Sequence, residues 1–217
     1  MIFVYPYKSN GSDYLITNSI RSVLKHYPDA KIVVIGSPLE GFENIPFKDS
    51  NIIRGANVTA KMLHAATLFD EFIYMNDDFF INERFDFNIV SGSDENLERK
   101  EGKASIAWNQ AVDNTKHFLE HNNRPIRSYE CHQPVRFNSE KLIQTMSRIN
   151  WKKHDHFIKS LYFNMNPQIK VKPIENVKLI EPNLNKANMY LTMFGCLSVG
   201  NGFLNDATRK LIKSLAY

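Results

Sequence analysis

Two adjacent carboxylates interrupt an apolar stretch of the chain at residues 72–81. The stretch reads Phe-Ile-Tyr-Met-Asn-Asp-Asp-Phe-Phe-Ile, so Asn76, Asp77 and Asp78 stand between residues typical of a buried strand. Burying carboxylates is costly unless they are paired or bind a cation. The triplet therefore predicts a strand end that presents carboxylates to a metal or a ligand. The alternative is an ordinary strand-to-turn junction, where Asn and Asp are common.

The oxygen atoms of this triplet suit a hard divalent cation, Mg²⁺ or Mn²⁺. Such ions bind through one or two carboxylates together with substrate phosphate oxygens. An ion held in this way would neutralise a diphosphate leaving group. Asp77 and Asp78 are the expected ligands.

The elements that must position the triplet follow a β-α-β order. Strands end in polar or glycine residues, and the intervening apolar residues recur at helical spacing. The predicted elements are strands at 2–7, 31–36, 51–54 and 72–78, and helices at 12–27 and 59–69. Ligand groups at the carboxyl end of a strand are typical of doubly wound α/β folds.

The second half of the chain continues the α/β pattern after a charged segment, 85–103, that we interpret as a solvated loop. The predicted elements are strands at 104–108, 171–179 and 194–199, and helices at 109–121, 140–146, 151–163 and 206–215. With no linker evident, we expect one domain over 1–217. Residues 1–82 would form its nucleotide-binding half and residues 104–217 its acceptor and catalytic half.

His132 is the candidate general base. Histidine suits deprotonation of a hydroxyl near neutral pH. A nucleophilic pair with Cys131 is rejected, because adjacent residues of an extended chain point to opposite faces. A lone histidine is also often structural.

The other histidines fit no catalytic pattern. His117 and His121 are four residues apart on a predicted helix, but the glutamate of the metalloprotease motif is missing, so a solvated helix face is the better interpretation. His154 and His156 are interpreted as surface residues. Phosphate-loop and serine-elbow motifs are absent from the sequence.

Asn205 and Asp206 precede the last predicted helix. Both residue types are favoured at a helix N-cap, which is the more economical interpretation of this pair alone. The second interpretation is a carboxylate site that faces the metal.

The bulk composition describes a soluble globular protein with a mild excess of positive charge. Hydrophobic residues make up 43% of the 217 residues, and the formal net charge is +4. That charge suits an acidic ligand such as a nucleotide diphosphate more than a dedicated nucleic-acid coat. Two cysteines imply no disulfide framework, and neither a signal peptide nor a membrane-spanning run is evident, so a cytoplasmic location is expected.

Several motifs in a fixed order resemble the Stealth-type hexose-1-phosphate transferases of capsule synthesis. That family has a core similar to the GT-A glycosyltransferase fold. The matching segments are Gly11-Ser12-Asp13, Ser19-Ile20-Arg21-Ser22 with the strand 31–34, Asn57-Val58-Thr59-Ala60, the stretch 72–80, the segment 131–141 with His132, Pro134 and Arg136, and the segment 194–215. Where the family has Tyr-x-Trp near the first strand, Tyr5-Pro6-Tyr7 stands here.

The resemblance implies a nucleotide-sugar-dependent transferase with a Rossmann-like, mainly parallel but mixed sheet. Nucleotide binding would involve the following residues: Tyr5, Tyr7, Arg21, Asn57, Asn76 and Asp77. A divalent cation would be held by Asp77, Asp78 and Asn205. The catalytic group would be His132, Asp78, Arg136 and Asp206, with Arg136 on phosphate charge.

Three outcomes stay open at this level. The family suggests transfer of a sugar-1-phosphate to a glycan hydroxyl, and plain glycosyl transfer is the close alternative. The alternative acceptor is a modified base in DNA, with the basic segments 152–154 and 170–172 contacting phosphates. A different class is a binding protein that keeps a nucleotide-sugar pocket without catalysis.

Overall fold

Strands and helices alternate along most of the chain. The computed structural model describes residues 1–9, 11–93, 95–102, 106–167, 171–173 and 176–217. Its helices are α1 (Tyr14–His26), α2 (Arg54–Leu68), α3 (Ile106–His121), α4 (Ser139–Met146), α5 (Ile158–Met165), α6 (Leu184–Phe194) and α7 (Asp206–Ala216). Its strands are β1 (Ile2–Tyr7), β2 (Lys31–Gly36), β3 (Glu43–Pro46), β4 (Glu71–Tyr74), β5 (Phe79–Ile81), β6 (Val90–Gly92), β7 (Val135–Asn138), β8 (Val171–Pro173), β9 (Lys178–Leu179) and β10 (Cys196–Val199).

A sheet with strand order β3-β2-β1-β4-β7 forms the centre of the described fold. The first four strands pair in parallel, and β7 pairs antiparallel with β4. Phe3, Val33 and Ile35 on β1 and β2 are fully buried, as continuous apolar strands covered on both faces should be. The expected α/β fold with a mixed, mainly parallel central sheet is therefore confirmed.

The segments that contain the predicted functional residues lie at the carboxyl edge of this sheet. β1 ends there at Tyr7 and β4 ends there at Tyr74, since the two strands are parallel. Residues 76–78 follow β4 at once, so they lie at this edge. β7 runs in the opposite direction, and its first residue, Val135, pairs with Tyr74. The segment before β7, which contains His132, therefore also arrives at the carboxyl edge.

A second sheet, β5-β10-β9, holds the turn that contains Asp77 and Asp78 in place. β5 is antiparallel to β10, and β10 is parallel to β9, with Ser198 opposite Lys178. The backbone N–H of Val199 donates to the carbonyl oxygen of Asp78 at 3.1 Å. The last short sheet pairs β6 with β8.

Two serines attach α1 to this second sheet. The hydroxyl of Ser19 donates to the carbonyl oxygen of Phe79, and the N–H of Ile81 donates to Ser22 Oγ at 3.3 Å. Both serines are fully buried, whereas Arg21 between them is exposed. The Ser-x-Arg-Ser motif thus has a structural role through its serines: it joins α1 to β5.

Three predicted strands were wrong in part. The strand expected at 51–54 is a bend, because the N–H of Ile53 donates to Asn51 Oδ1 and α2 begins at Arg54; the third parallel strand is β3 instead. The strand expected at 72–78 ends at Tyr74. The strand expected at 171–179 is split between β8 and β9, which belong to different sheets.

The helix predictions also needed correction. In the strand expected at 104–108, residues 104 and 105 lie outside the described residues and the remainder is the first turn of α3. The helix expected at 151–163 begins only at Ile158, after a turn in which the N–H of Phe157 donates to Thr115 Oγ1. The helix α6 was not predicted, whereas α7 was predicted with nearly its observed bounds.

The two predicted halves share their sheets. β7 completes the central sheet beside β4, and β10 pairs with β5. Buried apolar residues of both halves belong to a common core cluster that runs from Phe3 to Ile212. Within the described part of the chain, no helix has the length and apolar character needed to cross a lipid bilayer.

Candidate active site

A cavity of about 460 Å³ opens at the carboxyl edge of the central sheet. Its wall combines carboxylates and cations. Those groups are Asp49, Asp77, Asp78, Glu130, Asp155, Lys8, Arg54, Lys61, Lys159 and Lys178. A cleft that mixes both charges at a strand edge suits a ligand with its own anionic groups.

Asp78 is held rigidly at the base of this cavity. Its Oδ2 accepts hydrogen bonds from Lys178 Nζ and from Ser198 Oγ, each at 3.0 Å. Its Oδ1 is buried and has no hydrogen-bond partner among the described residues. Because its backbone is bonded to β10 as well, Asp78 has little freedom to move.

Asn76 and Asp77 also line the cavity and are half-buried, whereas Asp78 is buried. Burial raises the pKa of Asp77, and the charge of Asp78 raises it further, while Arg54 and Lys178 act in the opposite direction. Asn76 Oδ1 accepts a hydrogen bond from the hydroxyl of Tyr74. Asp77 is therefore the carboxylate of the triplet best placed to meet a ligand.

Two nearly buried lysines that the sequence analysis missed line the same cavity. Lys61 Nζ lies 2.8 Å from Asp49 Oδ1 and donates to the carbonyl oxygen of Tyr7 at 3.1 Å. Lys159 Nζ lies 3.7 Å from Glu130 Oε2. Lys61 occupies the buried face of α2 among apolar residues, and a charged residue in such a pattern was a signal that could have been used.

His132 lies close to the lysines but does not line the cavity. Its backbone is left-handed, with φ of 54°, a conformation that is uncommon outside glycine and often found at functional sites. Burial, followed by the positive charges of Lys159, Lys178 and Lys100, lowers the pKa of His132 to about 3. The imidazole is therefore neutral at physiological pH, and it is a weaker base than expected.

Three residues expected to bind nucleotide lie near the cavity in different ways. Tyr7 lines it, and its hydroxyl donates to Asp13 Oδ1. Asn57 also lines it, and its side-chain amide is bonded to the backbone of Asn51, at 2.7 and 3.0 Å. Tyr5 does not line the cavity, because its ring is buried and its hydroxyl lies 3.1 Å from Ser19 Oγ.

Arg21 and Arg136 are not brought to the cavity. Arg21 lies over the ring of Tyr217, 4.8 Å from its centroid. Arg136 lies one residue into antiparallel β7, with NH1 3.8 Å from Glu71 Oε1. Because Glu71 begins β4, Arg136 points toward the amino edge of the sheet and away from Asp77.

Asn205 and Asp206 are also placed elsewhere. Asn205 is the N-cap of α7 and forms a capping box with Thr208, whose N–H donates to Asn205 Oδ1 at 3.0 Å. It lines a separate surface cleft beside Pro182. Asp206 is exposed in the first turn of α7. The capping interpretation is confirmed for Asn205.

The expected metal site is consequently not assembled from Asp77, Asp78 and Asn205. Within the described ranges, no cluster of three or more His, Cys, Asp or Glu side chains could hold a metal ion. The ammonium of Lys178 already contacts Asp78, and a divalent cation on the same carboxylate would be repelled by it. Of the three expected ligands, the structure therefore brings only Asp77 and Asp78 to the cavity, and Lys178 already occupies one oxygen of Asp78.

A second cavity, of about 630 Å³, adjoins the first. Trp108 and Glu130 line both. Glu130 Oε1 accepts hydrogen bonds from the N–H and the hydroxyl of Ser160, at 3.2 and 2.9 Å. Lys100 Nζ lies 3.7 Å from the centroid of the Trp108 ring. The remaining wall includes polar side chains: Ser93, Glu95, Asn96, Glu98, Ser128 and Asn176.

Four histidines line a further cavity of about 500 Å³. It is lined by His117, His121, His154 and His156. His156 is half-buried and also lines the carboxylate cavity, so its expected surface position was wrong. Both cysteines are buried thiols, as expected for a chain without a disulfide framework.

No family model and no curated protein matches the sequence significantly. Solved structures with similar folds include the galactosyltransferase LgtC in complex with donor and acceptor sugar analogs, at 14% identity and a TM-score of 0.47, covering 100% of this chain and 95% of that one. A glycosyltransferase involved in glycosylation of the major capsid of PBCV-1 matches at 9% identity, TM-score 0.45 and 98% of both chains. The inositol-1-phosphate CTP transferase from T. maritima matches at 12% identity and TM-score 0.48, over 99% of this chain and 95% of that one. Likenesses this distant assign no activity to this chain, which must be argued from its own geometry.

Proposed function

We propose that the protein is an enzyme that transfers a sugar or a sugar-1-phosphate from a nucleotide-sugar donor to an acceptor hydroxyl. The observation that carries the proposal is the carboxylate and lysine cavity at the carboxyl edge of a mainly parallel sheet, where Asp77 and Asp78 meet Lys178. Ligands of open α/β sheets bind at this edge. The excess of positive charge on the chain favours an anionic donor.

The donor would occupy the cavity of about 460 Å³. Its nucleoside would lie toward Tyr7, Lys8 and Asn57, at the end of β1. Its diphosphate would face Arg54 and Lys178, whose side chains are suited to phosphate oxygens. Asp77 would then accept hydrogen bonds from hydroxyl groups of the donor.

The acceptor would enter the adjoining cavity of about 630 Å³. The carboxylate and amide side chains of this cavity, such as Glu95, Glu98 and Asn176, can hydrogen-bond to the many hydroxyl groups of a carbohydrate. Glu130 lines both cavities, so its carboxylate is placed to accept the proton of the attacking hydroxyl. This role replaces the one expected for His132, which lines neither cavity.

Two bond changes fit this arrangement. In glycosyl transfer the acceptor oxygen attacks the anomeric carbon, the bond from that carbon to the phosphate oxygen breaks, and a nucleoside diphosphate leaves. In sugar-1-phosphate transfer the acceptor oxygen attacks the phosphorus next to the sugar, the diphosphate bridge breaks, and a nucleoside monophosphate leaves. In both cases the acceptor proton goes to Glu130. The motif resemblance favours the second outcome.

A panel of nucleotide sugars with oligosaccharide acceptors tests the proposal. Chromatography of the released nucleotide separates a diphosphate from a monophosphate and so identifies the reaction. Asp77→Asn should reduce turnover with the productive donor by about 100-fold or more, because a ligand-binding charge is lost. If no nucleotide sugar is consumed but nucleotides bind, the protein is the non-catalytic binding protein considered above.

A DNA acceptor receives no support from the basic segments. Lys152 Nζ lies 5.5 Å from the centroid of the Trp151 ring, and Lys172 Nζ lies 6.0 Å from that of Phe194. These lysines belong to separate elements and cover neighbouring rings. Lys170 lies outside the described residues. We therefore propose a carbohydrate or other small hydroxyl acceptor.

A further inference from the structure

The environment of Lys178 suggests how this site neutralises the negative charge of a diphosphate. Lys178 is the first residue of β9, and Ser198 stands opposite it on β10. Both side chains reach the same oxygen of Asp78, at 3.0 Å each. Two strands of one sheet thus deliver a cation and a hydroxyl to the carboxylate that was expected to bind a metal.

We infer that Lys178 takes the place of a divalent cation and binds the diphosphate of the donor directly. This inference rests on the proposed function, because it assigns a residue to the donor site. An ammonium group has three N–H donors. One is used on Asp78, so the other two are available for phosphate oxygens on the cavity side, where Lys178 is 30% exposed.

The local charge balance supports this assignment. Asp77 and Asp78 are the two carboxylates of the triplet, and Arg54 and Lys178 both act electrostatically on Asp77. Arg54 and Lys178 therefore offset the repulsion that the two aspartates would exert on a diphosphate, without any added ion. A bound diphosphate would be met by Arg54 and Lys178, while Asp78 holds the ammonium of Lys178 in position.

Lys178 is also better placed for this role than Lys61 and Lys159, the two nearly buried lysines of the cavity. Lys61 is 3% exposed and Lys159 is 7% exposed in their side chains, and each has its own carboxylate partner. Lys178 is more exposed than either of these two lysines and lies beside the carboxylate triplet. Its positive charge is also among those that keep His132 neutral.

Calorimetric titration with UDP, GDP, ADP and CDP, each in EDTA and in Mn²⁺, tests the inference. We expect at least one of these nucleotides to bind the wild-type protein in EDTA, with little gain from Mn²⁺. Lys178→Gln should weaken that binding by about 10- to 100-fold, the range for a lost hydrogen bond to a charged group. Lys178→Arg keeps the charge and should retain most of the affinity.

Lys210→Gln is the matched control, because Lys210 is exposed on α7 and does not line the cavity. Its nucleotide affinity should equal that of the wild type. Thermal unfolding shows whether Lys178→Gln is folded. If it is not, the affinity of Lys178→Arg and the EDTA comparison on the wild-type protein still test whether Lys178 replaces the divalent cation.

The outcomes separate the inference from the proposed function. Nucleotide binding that disappears in EDTA and returns with Mn²⁺ would overturn the inference and leave the proposed function standing. Wild-type affinity in a folded Lys178→Gln protein would overturn it as well. Failure of every nucleotide to bind in both conditions would remove the proposed function, and the inference with it.

Discussion

Lys178 Nζ lies 3.0 Å from Asp78 Oδ2, although the two residues are 100 positions apart in the chain. The contact exists because β9 and β5 flank β10, which places Lys178 beside the turn after β4. It gives Asp78 a structural partner and leaves Asp77 as the more exposed carboxylate. The two aspartates should therefore respond differently to substitution.

Asp78→Asn should destabilise the protein more than Asp77→Asn does. Removing the charge of Asp78 leaves the partly buried ammonium of Lys178 without its ion pair, at a cost of about 1–3 kcal/mol. Asp77→Asn removes a carboxylate whose pKa is raised by burial and by Asp78, so its loss should be neutral or stabilising. Urea unfolding of both variants measures the difference. Equal destabilisation would contradict the structural role of Asp78.

Glu130→Gln should lower kcat by about 100- to 10,000-fold with the productive donor, the usual contribution of a general base. The acceptor KM should change much less, because Gln keeps an oxygen for the donors of Ser160. Glu101→Gln, an exposed residue before α3, is the control. A kcat unaffected by Glu130→Gln would return the base role to His132.

The free energy of unfolding should decrease as the pH falls, because burial keeps the imidazole of His132 neutral in the folded protein. Its folded-state pKa is lowered from 6.5 to about 3, so protonation favours the unfolded chain. The stabilisation from neutral His132 is fully present above about pH 6.5 and is lost as the pH approaches 3. His132→Gln should flatten the pH dependence of the unfolding free energy between these values. Identical slopes in the wild-type and His132→Gln proteins would contradict the assignment.

Asn205→Ala should affect stability and leave nucleotide binding intact. Loss of the N-cap of α7 costs about 1 kcal/mol, which corresponds to a fall in Tm of about 2–4 °C for a domain of this size. Calorimetric nucleotide titration should give the wild-type affinity, because Asn205 lies in a separate cleft. A loss of affinity in this variant would place Asn205 in the donor site.

Local anomalies in the sequence were sufficient to predict part of this arrangement. Asp77 and Asp78 break an apolar strand, and that conflict pointed to the carboxyl edge of the sheet. The parallel β1-β2 pair and the cap at Asn205 follow from apolar runs and capping preferences within a few residues. Such signals are local, and the structure agrees with them.

The partners of the carboxylates depend on contacts between distant segments. Lys178 and Glu130 reach the cavity only because β9 pairs with β10 and because the chain before β7 returns to the carboxyl edge. The position of Arg136 was predicted wrongly. The direction of a strand relative to its neighbours decides which edge of the sheet a residue approaches, and the sequence of one strand does not show that direction. The order of motifs along the chain therefore predicted the carboxylates of the cavity, Asp77 and Asp78, but not the lysines that face them.

The most direct measurement of the central claim is a crystal structure of the protein with a nucleoside diphosphate that binds it. We expect density for the nucleotide in the cavity between Tyr7 and Glu130, with phosphate oxygens in hydrogen-bond contact with Lys178 and Arg54. Density only in another cavity, such as that lined by His117 and His121, would contradict it.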